Sequence, residues 1–372
     1  MKKSLYLDHG FLRRRACSFF SACVLIWPAA LFAQQYQQTN LVSDTALEGT
    51  NPPDPNLKNP WGVARGTTSP WWVADNRSGV STLYNGAGTK VPLTVTIPHT
   101  AQSAIGTPTG VVFNGSTTDF AITSGNPAHF IFVSLDGTIS AWNSGMDAVV
   151  EVQGSPNSIL TGATIVQIED NRFLCVADLK EGKIKVYDTN FTRVETRDEA
   201  FEDDDIPSGF APFNVQNIGG NLYVAYAQQN QAKNFVVSGA GLGFVDVFSP
   251  RGRLLLRLEH SDRFNAPWGL TLAPSDFGSF SHKVIVGQFG SGEILAFDAV
   301  TGRFEGRLRD PSDNPIVIDG LWGISFGAGQ PSLQTSGPAN ALFFAAGPHE
   351  GNDGIFGSLT PVSTDLIQGN GQ

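Results

Sequence analysis

"NPWGVA", Asn59 to Ala64, returns as "APWGLT" at Ala266 to Thr271 and as "GLWGIS" at Gly320 to Ser325. A bulky ring followed by no side chain, three times over, marks a repeated structural position. Outward from each pair the pattern continues as an apolar run, a short turn and a second run, as in "WWVADNRSGVSTLY" (Trp71 to Tyr84) and "VIVGQFGSGEILAF" (Val284 to Phe297). The same pattern recurs without the Trp in "FIFVSLDGTISAW" (Phe130 to Trp142) and "FLCVADLKEGKIKVY" (Phe173 to Tyr187). In "LYVAYAQQN" an insertion separates the first run from "GFVDVF" (Leu222 to Phe248), and "LFFAAGPHEGNDGIFGSL" (Leu342 to Leu359) completes the set.

Six units result, opening at Pro60, Pro108, Gly162, Pro212, Pro267 and Leu321. A spacing of about 50 residues is that of propeller blades rather than helical repeats. Strands separated by turns within each unit predict a four-stranded antiparallel blade. The last unit has only three strands, while "YQQTNLVSD" (Tyr36 to Asp44) is a strand with no unit of its own. The expected fold is therefore all-β, a six-bladed β-propeller closed by an N-terminal strand that completes the last blade. Closure protects a sheet edge that would otherwise invite aggregation. Gly62, Gly110, Gly269 and Gly323 fall where inner strands crowd around a channel, so Gly269→Val is expected to damage the fold more than Gly269→Ala.

The composition agrees. Among 372 residues there are 41 Gly and 22 Pro, and only 16% are charged. This suits a turn-rich β protein of ample core. Lys2, Lys3 and Arg13 to Arg15 precede an apolar stretch, Ala16 to Phe32, that ends in "LFA" before the polar "QQYQQ". This is the form of a secretory signal peptide cleaved after Ala33, which leaves residues 34–372 as a single propeller domain with no stable membrane anchor. The expected location is periplasmic or extracellular, and the expected state is a monomer. Cys17 and Cys23 leave with the leader, so Cys175 remains alone in an apolar run and no intramolecular disulfide forms. The leader's five basic residues and one acid take +4 from the chain's net charge of −10, leaving about −14. Such a surface repels phosphate backbones and excludes nucleic acid as a partner.

"NPWGVA…WWVADNRSG" and "FLCVADLKEGKIKVYD" resemble NHL-type propellers. "GFAPFNVQNIGGNLYVAYA", "NAPWGLTLAP", "IVIDGLWGISFG" and "GIFGSL" resemble a family of secreted bacterial proteins, some of which carry a PEP-CTERM sorting tail. The resemblance spans nearly all of the chain after the leader and implies the six-bladed fold and export. It brings no catalytic residues. The terminal "DLIQGNGQ" shows no sorting tail.

Around the ring, the position before the repeated Gly reads Trp61, Thr109, Ala163, Phe213, Trp268 and Trp322. An aromatic arc on four adjacent blades beside a sector of small residues can stack a flat ligand, with Asn76, Asn214 and Gln288 as polar partners. The same rings can equally be interblade core. After the second strands of the first, third and sixth units come Asp75, Asp178 and His349, oxygen- and nitrogen-bearing groups suited to Ca²⁺ or another divalent metal if they converge. A strand-terminal Asp can instead cap its own turn. His99, His129, His260, His282 and His349 show no ligand spacing, and neither a G-x-S-x-G nor a P-loop occurs. The expected function is a binding module for a small molecule, glycan or protein at the channel mouth. The alternative is a metal-dependent lactonase or lyase using carboxylates there.

Overall fold

Short runs of β-branched and aromatic residues, bounded by Gly, Asp and Asn turns, form strands throughout the chain. A computed structural model describes Met1 and residues 35–362, except 48–49, 101–104, 198 and 330–334. The expected leader and the C-terminal "DLIQGNGQ" lie outside the described residues. Six antiparallel sheets follow one another. Their inner strands are Pro60–Ala64, Pro108–Phe113, Leu160–Ile168, Phe210–Ile218, Pro267–Leu272 and Leu321–Phe326. Each inner strand packs against the next, and the sixth packs against the first, which closes a six-bladed β-propeller. The last blade is completed by the N-terminal strand Tyr36–Ser43, paired antiparallel with Ile355–Pro361. Cys175 is buried in the core between blades 3 and 4, where burial raises its thiol to about 12.

The repeated Trp-Gly position has a common local cause. Every inner strand carries a register shift near its start, so that one or two residues have no partner on the second strand. Such a bulge re-aims side chains and bends the strand. The bulged residues are Trp61, Thr109, Thr161, Phe213, Trp268 and Trp322. In the third blade the shift lies between Leu160 and Gly162. Thr161, not Ala163, therefore holds the position equivalent to the Trp residues, which corrects the alignment expected from the sequence.

The glycine that follows is required by close approach, not by backbone dihedral. A Cβ on Gly62 would lie 2.6 Å from the Thr109 carbonyl oxygen, one on Gly269 would lie 2.7 Å from that of Trp322, and one on Gly323 would lie 2.5 Å from that of Trp61. Each glycine lets its blade touch the main chain of the next. The fourth blade departs from this: Asn214 stands in the glycine position, and its Nδ2 donates to the Trp268 carbonyl at 2.7 Å. At that junction a side-chain hydrogen bond stands where Gly62, Gly269 and Gly323 allow backbone contact.

A consequence is that the first added carbon already does the damage. Gly269→Ala should cost about 1–3 kcal/mol, since blades 5 and 6 must part to admit it. The added branches of Val should then add less than that first carbon. Urea unfolding of wild type, Ala and Val variants checks this. Wild-type stability in Gly269→Ala would show that the two strands can separate freely.

Candidate functional site

The bulges throw the aromatic side chains toward the axis, and there they meet. Trp61 and Trp322 stack with ring centroids 3.5 Å apart and planes 15° from parallel, and Phe289 stacks on Trp322 at 4.1 Å and 24°. Trp268 meets both tryptophans edge-on, at 6.2 and 5.9 Å, and Phe213 meets them at 6.3 and 5.8 Å. These are the offset-stacked and edge-to-face geometries that aromatic pairs favour. The group forms one apolar cluster that fills the channel at this end.

The rings expected to be an open stacking arc are instead buried: Trp61 and Trp322 are 1% exposed, Trp268 4% and Phe213 0%. Trp322 Nε1 donates to Asn59 Oδ1 at 3.1 Å and Trp268 Nε1 to the Thr161 carbonyl at 3.0 Å. Trp61 Nε1 is buried with no partner among the described residues.

Above this plug is a cavity of about 540 Å³. Trp61, Trp322, Phe235 and Phe289 supply its floor and apolar wall, and Asn76, Arg77, Asp319 and Glu350 its polar rim. Both phenylalanines are half-buried and were not singled out by sequence. Phe235 comes from the insertion in the fourth unit, which folds back so that Val236–Val237 adds a fifth strand beside Asn221–Gln229.

The rim is built on unusual backbone. His349 (φ 54°, ψ 51°) and Glu350 (φ 60°, ψ 32°) are consecutive left-handed residues, followed by Gly351 at φ 74°. Non-glycine residues pay for this conformation, and it persists only where the surroundings hold it. The surroundings do so here. Arg77 Nη2 donates to the Glu350 carbonyl at 2.8 Å, Arg77 Nη1 to Asn352 Oδ1 at 2.6 Å, and His349 N to Asp319 Oδ2 at 2.9 Å. The turn of blade 1 thus holds the turn of blade 6.

Of the residues expected to bind a ligand, Trp61, Trp322 and Asn76 line this cavity. Asn76 Nδ2 donates to the Pro108 carbonyl at 3.1 Å. Phe213 and Trp268 belong to the plug, Asn214 lies on the channel wall below it, and Gln288 is buried with its Oε1 accepting from Asn265 N at 2.7 Å. The three residues expected to hold a cation are engaged separately. Asp178 accepts from Ile159 N, Lys180 N and Glu181 N and from Ser158 Oγ, and it pairs with the Lys185 ammonium at 2.6 Å. It is a turn cap already neutralised by a cation. Asp75 is wholly buried; its Oδ2 accepts from Thr82 N and Oγ1, and burial holds its carboxyl well above the usual carboxylate range. His349 is exposed, with Nδ1 2.6 Å from Asp353 Oδ2, a contact that raises the imidazole above its ordinary value. Among the described residues no group of three or more His, Cys, Asp or Glu is placed to share a metal. The donor set does not fit the expected Ca²⁺ or other divalent ion.

No family model matches the sequence. Two proteins of Acanthamoeba polyphaga mimivirus do match over most of its length. Uncharacterized protein R648 is 32% identical over 315 residues, 82% of this chain and 76% of its own. Uncharacterized protein L690 is 30% identical over 319 residues, 82% of this chain and 81% of its own.

The chain belongs to their family.

The relatives that establish the family are viral, where the sequence resemblance implied secreted bacterial proteins. Among solved structures, a streptogramin B lyase matches 88% of this chain and 98% of its own at 12% identity and a TM-score of 0.49. A protein of unknown function from Bacteroides caccae matches 75% and 83% at 10% identity and a TM-score of 0.47. These likenesses concern the fold, not the activity.

Proposed function

We propose that the protein is a binding propeller that takes a small molecule or the end of a glycan into the cavity above the Trp plug. The cavity itself carries this reading. Its volume of about 540 Å³ falls within the range that holds organic ligands, and its apolar floor with a few rim groups of both charges has the make-up of such sites. Phe235 and Phe289 offer the accessible ring faces, and the Trp stack beneath keeps them rigid. Binding is favoured over metal-dependent lactonase or lyase chemistry because the carboxylates that chemistry needs are engaged apart from one another, Asp75 with Thr82 and Asp178 with Ser158 and Lys185, and no three ligating groups come together among the described residues.

Phe235 is the residue to change, because it is half-buried and sits in an inserted hairpin. Ligands found for the wild-type chain in a glycan array and a metabolite thermal-shift screen should bind Phe235→Ala at least about tenfold more weakly, the loss of one stacking face. The melting temperature should stay close to wild type. Ligands that bind the variant as well as wild type would show that they sit elsewhere.

We also propose export. The support is the basic start, the apolar stretch and the "LFA" boundary. Expressed in a Gram-negative host, the chain should be recovered from periplasm or medium beginning at Gln34. A cytoplasmic chain that keeps Lys2 and Lys3 would refute it.

A further inference from the structure

The channel has a second mouth, on the face where the inner strands of blades 1, 2, 3, 4 and 6 end. It opens as a cavity of about 510 Å³. A waist of only about 30 Å³, lined by Gly62, Gly110, Gly269 and Gly323 among others, leads from the channel interior toward the underside of the Trp plug. The two cavities share no lining residue.

Both ionisable side chains lining this second cavity are arginines, and they are held differently. Arg172 faces Asp119 Oδ2 at 3.4 Å and donates to Asn114 Oδ1 at 2.8 Å, so its charge is balanced. Arg65 is half-buried; its Nε donates to the Phe326 carbonyl at 2.6 Å and its Nη2 to that of Gly327 at 2.8 Å. Its guanidinium carbon is 5.8 Å from the centre of the Trp71 ring. Among the described residues it has no carboxylate partner. Burial accordingly lowers its pKa from the ordinary value.

A guanidinium has five N–H donors in a planar fork matched to a carboxylate. The two carbonyls fix the plane of Arg65 and commit Nε and one N–H of Nη2, which leaves the second N–H of Nη2 and both of Nη1, the end-on side of the fork, for a ligand. A partly desolvated cation without a counter-ion is costly, and an arriving anion recovers that cost. Beside Arg65 the cavity offers an apolar wall of Val111 and Phe113, and Gln216 reaches both the cavity and the waist. We propose that this second mouth is a site for a small monocarboxylate with an apolar body, its carboxylate on Arg65 and its body against Val111 and Phe113. The site is independent of the one above the plug.

Benzoate and hexanoate titrated into the full chain, followed by calorimetry and ligand-observed NMR, test it. Either carboxylate should bind at least about tenfold more tightly than benzamide, which lacks the charge, and than sulfate, which lacks the body. Arg65→Gln should weaken binding at least about tenfold, and Arg65→Lys, which keeps the charge and loses the fork, by a smaller factor. Phe235→Ala should leave it unchanged, which separates this site from the aromatic cavity. The proposal is overturned if neither carboxylate binds up to about 10 mM, weaker than any useful small-ligand site. It is equally overturned if sulfate or benzamide binds as well, or if Phe235→Ala removes the binding. Should Arg65→Gln not fold, Arg65→Lys decides, and an unchanged affinity there ends the proposal.

Discussion

A chain beginning at Asn51 should give aggregates in place of a soluble monomer. The strand it lacks, Tyr36–Ser43, pairs along the whole of Ile355–Pro361, from Tyr36 opposite Pro361 to Ser43 opposite Ile355. Removing it exposes a row of unpaired main-chain groups on a strand that also carries the buried Phe356 and Leu359. That is the kind of edge that recruits other chains. Two further attachments go with it. Tyr36 is fully buried, its ring 4.7 Å from Phe277 and its hydroxyl donating to the Phe277 carbonyl at 2.9 Å, so its loss opens a hole on the blade 5 side of the seam. The Asp44 carboxylate accepts from Gly354 N at 2.9 Å and pairs with Lys58, and this clasp next to the first blade is lost as well. Light scattering on a size-exclusion column, beside a thermal melt, checks the expectation. A monomer with the wild-type melting temperature would mean that the ring does not depend on its N-terminal strand.

The closure was legible because counting strands in a periodic sequence leaves one over at the N-terminal end and one short in the last unit. The inner-strand glycines were legible for a similar reason: close approach of main chains admits one residue type, so the constraint prints itself at Gly62, Gly110, Gly269 and Gly323. Where a different interaction replaces it the pattern breaks, as at Asn214, whose side chain bridges to the Trp268 carbonyl. The third blade was misaligned by the same logic. It opens at Leu160 without a proline or an aromatic, and only the register shift shows that Thr161 holds the bulged position.

The site was less legible. A ring of tryptophans reads alike whether it walls an open cleft or fills a channel, and it is the 3.5 Å stack of Trp61 on Trp322 that decides for filling. The carboxylates failed to converge because a residue ending the second strand lies next to its own turn. Asp178 is taken up there by the main-chain N–H groups of Lys180 and Glu181, and by that of Ile159 just before the inner strand. Phe235 belongs to an insertion, where the repeat imposes nothing and position in space cannot be read from spacing. The backbone at His349 and Glu350 gave no warning either, since neither residue type advertises a left-handed conformation.

Trp322→Ala should cost about 3–5 kcal/mol of stability, the range for emptying a large aromatic site in a core. Three observations set the size. Trp322 is the middle ring of a three-ring stack, with Trp61 on one face and Phe289 on the other, and it also touches Phe213, Trp268 and Phe235 edge-on. It is 1% exposed, so little of its volume can be replaced by solvent from outside without opening the plug. Its indole N–H satisfies Asn59 Oδ1, and Asn59 holds a left-handed backbone at φ 45° just before the first inner strand. Losing that partner strands a buried acceptor at a strained residue, which adds a penalty of its own. Trp322→Phe should fall between wild type and Trp322→Ala, because it keeps a ring between Trp61 and Phe289 and loses the N–H together with the volume of the fused five-membered ring. Phe235→Ala, by contrast, should alter ligand response and leave the melt close to wild type, because Phe235 rests on the plug without being enclosed by it. Denaturant unfolding of the three variants beside wild type tests the division. If Trp322→Ala unfolds at the wild-type midpoint, the rings are not core, the channel is not closed by them, and the aromatic repeat returns to being a ligand surface.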